Sequence, residues 1–258
     1  MALGRREPDL LFACDVGNSR VGFALVVDGR LCEVVRVPLS ELGGLTGCLR
    51  MSRHEVSGPT DLPVAVSCVN PEATEKLRPV LAEITSGPMA LARRDFPIPM
   101  EAAVERPERV GADRLLAALG AWRIAGGPLV VVDVGTATTV DAVDGQGRFL
   151  GGAILPGPSM GAWALKARTA ALPQVGLNGP VEPVGRNTEQ AIRSGLLFGA
   201  AGAVERLVAE QKRVVGREAR VIGTGGGLAY LEPLMICVDE VRENLVLEGL
   251  VAAYLSRP

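Results

Sequence analysis

The chain has 258 residues, of which 48% are hydrophobic and only 3% aromatic, so its cores are large and aliphatic. A formal net charge of −2 and a pI near 5.7 leave no basic footprint for nucleic acid. Five cysteines (Cys14, Cys32, Cys48, Cys68, Cys237) without a C-x-x-C pair point to reduced thiols in a cytoplasmic protein. No apolar run reaches the roughly 18 residues of a membrane span, and the polar stretch Arg5–Asp9 interrupts any signal core.

In chain order, residues 1–9 read as a polar, mobile tail, followed by a meander of strands at 10–16, 20–27 and 31–37. A helix is expected over Ser40–Arg53, weakened by Gly43, Gly44 and Gly47. After a turn-rich connection comes the apolar strand Val64–Val69. Pro71 then opens a helix toward Ile84, which Pro79 should kink or end early. Arg93–Arg109, with three prolines, reads as a loop. Gly111–Arg114 opens a helix to Ala125, in which Leu115, Leu116, Leu119 and Trp122 recur at helical spacing. A second meander occupies 129–156, a helix follows around Ser159–Arg168, and Ala171–Gly185 is another loop. Asn187 caps a long helix with Gln190 at its third position. A glycine loop at 223–227 follows a short strand, and Asn244–Leu255 forms the terminal helix.

The two meanders are copies of one another. Leu10–Val27 and Leu129–Val143 both run from an apolar strand through Asp-Val-Gly and hydroxyl or amide residues into a second strand. Each then continues through an Asp-Gly turn into a third strand. This internal duplication predicts two α/β domains, residues 1–126 and 127–258. Taken singly, either turn could be an ordinary polar hairpin turn. As a pair fronted by Asp15 and Asp133, they suit the clamping of a polyphosphate, with backbone N–H groups toward its oxygens and the carboxylates toward a cation. No G-x-x-x-x-G-K-[ST] is present, and Leu228 spoils a dinucleotide fingerprint in the 223 loop. The single His54 excludes a site built from several histidines. Asp113, just ahead of an apolar helix, has the position of a cap or dipole partner as well as of a catalytic carboxylate.

The motifs DVGNSRVG at 15–22, GADR at 111–114, DVGTATTVD at 133–141, FLGGAILPG at 149–157, NT at 187–188 and GTGGGLA at 223–229 resemble, in this order and spacing, the type III pantothenate kinases. That family belongs to the acetate and sugar kinase, actin and heat-shock chaperone superfamily. The resemblance implies two duplicated ribonuclease-H-like domains with an ATP cleft between them. It also implies phosphorylation of pantothenate to 4'-phosphopantothenate, the first step of coenzyme A biosynthesis. By the same resemblance ATP, with Mg2+, is bound by Asp15, Val16, Gly17, Asn18, Ser19, Arg20, Val21, Gly22 and Thr136. Asp133 holds a monovalent cation, K+ or NH4+. Pantothenate meets Val104, Gly111, Ala112, Asp113 and Arg114, with Asp113 as proton acceptor. Thr188 reaches the substrate pocket of the partner in a homodimer with shared active sites. Val104 stands where many members carry an aromatic, and Phe96 is a candidate to replace that wall. The alternatives are a kinase of another small hydroxy acid or sugar, or a non-catalytic transcriptional accessory relative of the same fold.

Overall fold

The continuous apolar run Leu10–Val16 forms a strand (β1) that is buried on both faces and has a neighbour on each side. In the computed structural model, which describes residues 9–44 and 61–257, β1 pairs antiparallel with Arg20–Val27 (β2), and β2 pairs with Arg30–Pro38 (β3). On its other side β1 pairs parallel with Val64–Cys68 (β4), and β4 with Met89–Leu91 (β5), giving the order β3-β2-β1-β4-β5. The three-residue β5 is absent from the sequence reading because Met-Ala-Leu is too short to show a period. The expected helix over Ser40–Arg53 lies mostly outside the described residues, as do residues 1–8; Leu39–Glu41 forms one 3-10 turn.

Pro71–Ala82 forms a helix (α1) that buries Leu77 and Leu81 with Phe12, Phe23 and Val66. Asn70 caps it, accepting from the N–H of Ala73 at 3.0 Å. The helix runs three residues past Pro79. That proline sits on the exposed side, while Leu77 and Leu81 on either side of it remain anchored in the core.

A second sheet repeats the first. Leu129–Val134 (β6), Ala137–Val143 (β7) and Phe149–Pro156 (β8) form the antiparallel meander, and Arg220–Thr224 (β9) and Glu240–Val241 (β10) add in parallel. Its order β8-β7-β6-β9-β10 matches β3-β2-β1-β4-β5 strand for strand, so the duplication extends beyond the two meanders. Ala112–Ala125 (α2), Pro158–Arg168 (α3), Thr188–Val215 (α4), the short Leu228–Leu231 (α5) and Leu245–Leu255 (α6) complete the described elements. Leu197, Val204 and Val208 of α4 pack with Val130, Val132 and Val221 in the second core.

Two compact units comprise residues 1–99, 108–120 and 245–258, and residues 100–107 and 121–244. The dividing line therefore passes through α2, and the last helix, placed by the sequence reading in 127–258, groups with the first unit. The reason is a close helix contact. A Cβ on Gly249 would lie 1.9 Å from the Leu116 carbonyl oxygen, and one on Gly120 would lie 2.6 Å from that of Leu245. Glycine at both positions lets the α2 and α6 backbones meet. Around that contact α6 buries Leu245, Leu247, Leu250, Val251 and Tyr254. Among the described residues no helix is long and apolar enough to cross a membrane, and Cys14, Cys32, Cys68 and Cys237 are free thiols.

Candidate active site

In the first unit, Asp15 is the last residue but one of β1, and the chain turns after Val16: the Gly17 N–H donates to the Arg20 carbonyl at 3.0 Å. Val16 and Val21 are buried beneath the turn, and Asn18, Ser19 and Arg20 are exposed at its tip. The Ser19 carbonyl accepts from Leu39 N–H at 3.0 Å, which ties the tip to the end of β3. Asp15 Oδ1 is shut off from solvent and has no hydrogen-bond partner, and the same holds for the Ser67 hydroxyl, the register neighbour of Asp15 on β4. Such orphans are rare in folded proteins and concentrate where a group is strained, reactive or met by water or an ion. Burial pushes the Asp15 carboxyl up to about 6, the Ser67 hydroxyl beside it pulls down, the Asp113 charge pushes up and Arg36 pulls down. Thus the structure brings Asp15 and Asp113, nearly a hundred positions apart in the chain, into electrostatic contact.

Asp113 lies in the first turn of α2, half-buried, and its Oδ1 accepts from the Arg114 N–H at 2.8 Å. Burial raises its pKa, opposed by that N–H and by the Arg114 charge. Gly111 makes room for this carboxylate, because a Cβ there would lie 2.4 Å from Asp113 Oδ1. Ala112 is buried under the turn, and the carbonyl of Val110 accepts from the Arg93 guanidinium. Asp113 thus takes the first-turn position that the helix dipole favours, one oxygen held by the next N–H, while burial raises the carboxyl. Phe96 is not available as a pocket wall. It is 3% exposed, packs edge-on against Tyr254 at 5.4 Å, and lies below the Arg257 guanidinium.

The second unit gathers the remaining motifs at the carboxyl ends of β6 and β9. Asp133 stands in register with Thr224, and Gly227 N–H donates to Val134 O at 2.8 Å. Gly225, at φ +91°, approaches so closely that a Cβ would lie 2.3 Å from Asp133 Oδ1. The Asp133 turn and the 223 loop are thereby one feature. Thr136 is exposed on that turn and its carbonyl accepts from Gly157 N–H at 3.1 Å, which adds the end of the FLGGAILPG motif. Val104 sits in a loop whose neighbour Ala102 bridges to Phe149, beside Gly151.

Thr188 lies elsewhere in this unit, as the exposed first residue of α4, after Asn187 has capped the helix by accepting from Gln190 N–H at 2.9 Å. Thr188 lines an apolar groove of about 990 Å³ between α3 and α4, with Ala164, Leu165, Leu172, Ile192 and Leu196. No carboxylate lines this groove, so it holds no acid–base chemistry of its own. Among the described residues no cluster of three or more His, Cys, Asp or Glu forms a metal cage. Ser67 and Arg36 were missed in the sequence; the one visible signal was a serine inside the otherwise apolar run Val64–Val69.

Residues 11–210 match the family model of type III pantothenate kinases. Proteins named type III pantothenate kinase are similar over nearly their whole length. That of Nitratidesulfovibrio vulgaris is 38% identical, covering 96% of this chain and 97% of its own. That of Thermus thermophilus is 37% identical, covering 96% and 100%. A crystal structure of a conserved Baf-family protein of Campylobacter jejuni, described as a transcriptional activator, superposes with a TM-score of 0.60 at 18% identity, covering 95% of this chain and 98% of its own. That likeness speaks to the fold alone.

Proposed function

The chain belongs to the type III pantothenate kinase family, and from that premise we propose how its residues divide the work. The reaction is ATP-dependent phosphorylation of pantothenate, in coenzyme A biosynthesis, with Mg2+ accompanying ATP. The observation that carries the assignment of roles is the pairing of Asp113, half-buried and raised in pKa, with Asp15, whose Oδ1 has no protein partner.

Asp113 accepts the proton of the primary hydroxyl of pantothenate as its oxygen attacks the γ-phosphorus; a carboxyl raised by burial is the better base for this task. Arg114, adjacent, pairs with the substrate carboxylate through its planar fork of donors. The Asp15–Gly22 turn holds the nucleotide phosphates, with Asn18 and Ser19 offering side-chain donors at its tip. The lone oxygen of Asp15 fits the cation or water shell that offsets phosphate charge when nucleotide is bound. Gly111, Ala112 and Val104 shape the pantothenate side, and Thr136 reaches ATP. Asp133, pressed by the 223 loop, holds a monovalent cation, K+ or NH4+.

The protein further works as a homodimer with shared sites. The sequence repeats small residues at four-residue spacing on α4, Gly195, Gly199 and Ala203; a Cβ at Gly195 or Gly199 would meet nothing within 4 Å, Ala203 is half-buried, and Phe198 is 37% and Trp163 on α3 is 61% exposed. Gly195 and Gly199 thus lie at the surface, which leaves room for another helix. We place the protein in the cytoplasm, consistent with its free thiols.

The test is ADP release with ATP and magnesium, comparing pantothenate with sugars and other hydroxy acids in sodium, potassium and ammonium buffers. Turnover with pantothenate alone, dependent on potassium or ammonium, is expected. Asp113→Asn should cut kcat by roughly 10²–10⁴ with nucleotide binding retained. Near-normal turnover of this variant would reduce Asp113 to a helix cap.

A further inference from the structure

The register of the first sheet places four residues in one row across four strands. Ser67 on β4 is opposite Asp15 on β1, Asp15 is opposite Gly22 on β2, and Gly22 is opposite Arg36 on β3. Directly opposed residues share a face, and strands lie about 4.8 Å apart, so Arg36 and Asp15 are separated by roughly 10 Å of backbone with a single residue between them. That residue has no side chain. A Cβ at Gly22 would meet only Leu247 Cδ1, at 3.7 Å, so packing alone does not demand glycine there. Glycine puts no side chain of its own between Arg36 and Asp15, and the Arg36 charge acts on Asp15. On the far side stands the buried Ser67 hydroxyl, which lies beside the Asp15 carboxyl and lowers its pKa.

We propose that Arg36 and Ser67 are positioning residues for the nucleotide site, flanking Asp15 in one cross-strand row and aiming its unpartnered oxygen at the cation-bearing phosphates. The inference rests on the reading that the Asp15 turn binds ATP. Arg36, exposed like Arg20 at the tip of the turn, adds a second positive charge on the sheet side of Asp15. Ser67 limits the carboxyl from the other side, its hydroxyl beside Asp15 favouring the ionised form. Neither acts on pantothenate.

The experiment compares wild type, Arg36→Gln, Arg36→Lys and Ser67→Ala. Calorimetric binding of magnesium with a non-hydrolysable ATP analogue is measured alongside steady-state kinetics and thermal melts. Expected are a roughly tenfold weaker analogue affinity and a matching rise in KM for ATP in Arg36→Gln and a smaller effect in Ser67→Ala. The KM for pantothenate should be unchanged, and Arg36→Lys should recover part of the loss. A purely structural role would lower the melting temperature without moving the KM for ATP apart from that for pantothenate. Analogue affinity and KM for ATP unchanged in Arg36→Gln and Ser67→Ala would overturn the proposal while leaving the ATP reading intact. A wild type that does not bind the analogue would instead overturn the ATP reading beneath it.

Discussion

At the scale of single residues, the candidate site holds its two carboxyls at a cost. Burial lifts the Asp15 carboxyl of the folded protein to about 6, against 3.8 for an ordinary aspartate. Between those values the native state keeps a proton that the unfolded chain has released. Stability must therefore fall as pH rises from about 4 to 6 and level off above. The shift corresponds to at most roughly 3 kcal/mol. Asp15→Asn removes this titration and should be more stable than wild type above pH 6, by an amount within that bound, with the difference closing below pH 4. Activity should be lost in the same variant, since a neutral amide cannot offset phosphate charge through a cation. Denaturant melts of both proteins without nucleotide at pH 4, 5 and 7 check the point. A wild type more stable than Asp15→Asn at pH 7 would show that Asp15 is a structural anchor.

At the scale of elements, the contact between α2 and α6 governs where Asp113 sits, because Asp113 opens α2 and Leu116 is the residue that Gly249 touches. Gly249→Ala gains helix propensity worth about 1 kcal/mol but places a methyl group 1.9 Å from a carbonyl oxygen, so the helices must part. Overpacking of this kind costs about 1–3 kcal/mol, and the net effect should be destabilising with a rise in the KM for pantothenate. A thermal melt and a substrate titration measure both. A more stable Gly249→Ala would mean that the two helices separate without strain. The long helix α4 illustrates the opposite case. A Cβ at Gly195, Gly199 or Gly202 would meet nothing within 4 Å, so substitutions there should act on assembly more than on the subunit fold.

At the scale of the whole molecule, shared sites make a quantitative prediction. Asp113→Ala and the pocket-blocking Thr188→Trp are each inactive as homodimers if Asp113 of one chain works beside Thr188 of the other. After random mixing half the dimers are mixed, and each contains one intact and one doubly damaged site. Activity should return to roughly a quarter of wild type across a two-fold contact. Recovery near zero after verified subunit exchange would place both residues in one chain's site. The apolar groove at Thr188, with Trp163 and Phe198 exposed on the same pair of helices, is the surface on which the mixing experiment acts.

Strands and turns were legible in the amino-acid sequence because they are written over short distances. Valine runs, Asp-Gly turns, the Asn187 cap and the proline at the start of α1 each act within a few residues, and repetition of the pattern revealed the duplication. Motif spacing likewise named Asp15, Asp113 and Asp133. Other features belong to the tertiary structure alone. Strand register joins Arg36, Gly22, Asp15 and Ser67, which are up to some fifty positions apart in the chain, and no local period reports register between strands. The terminal helix joins the first unit because two glycines admit a backbone contact with α2, while the sequence shows only an apolar helix of unassigned partner. Burial decided the rest. It withdrew Phe96 into the packing around Tyr254, left Gly195 and Gly199 of α4 at the surface, and left one oxygen of Asp15 buried and unpartnered, because solvent access depends on what the whole chain lays over a residue.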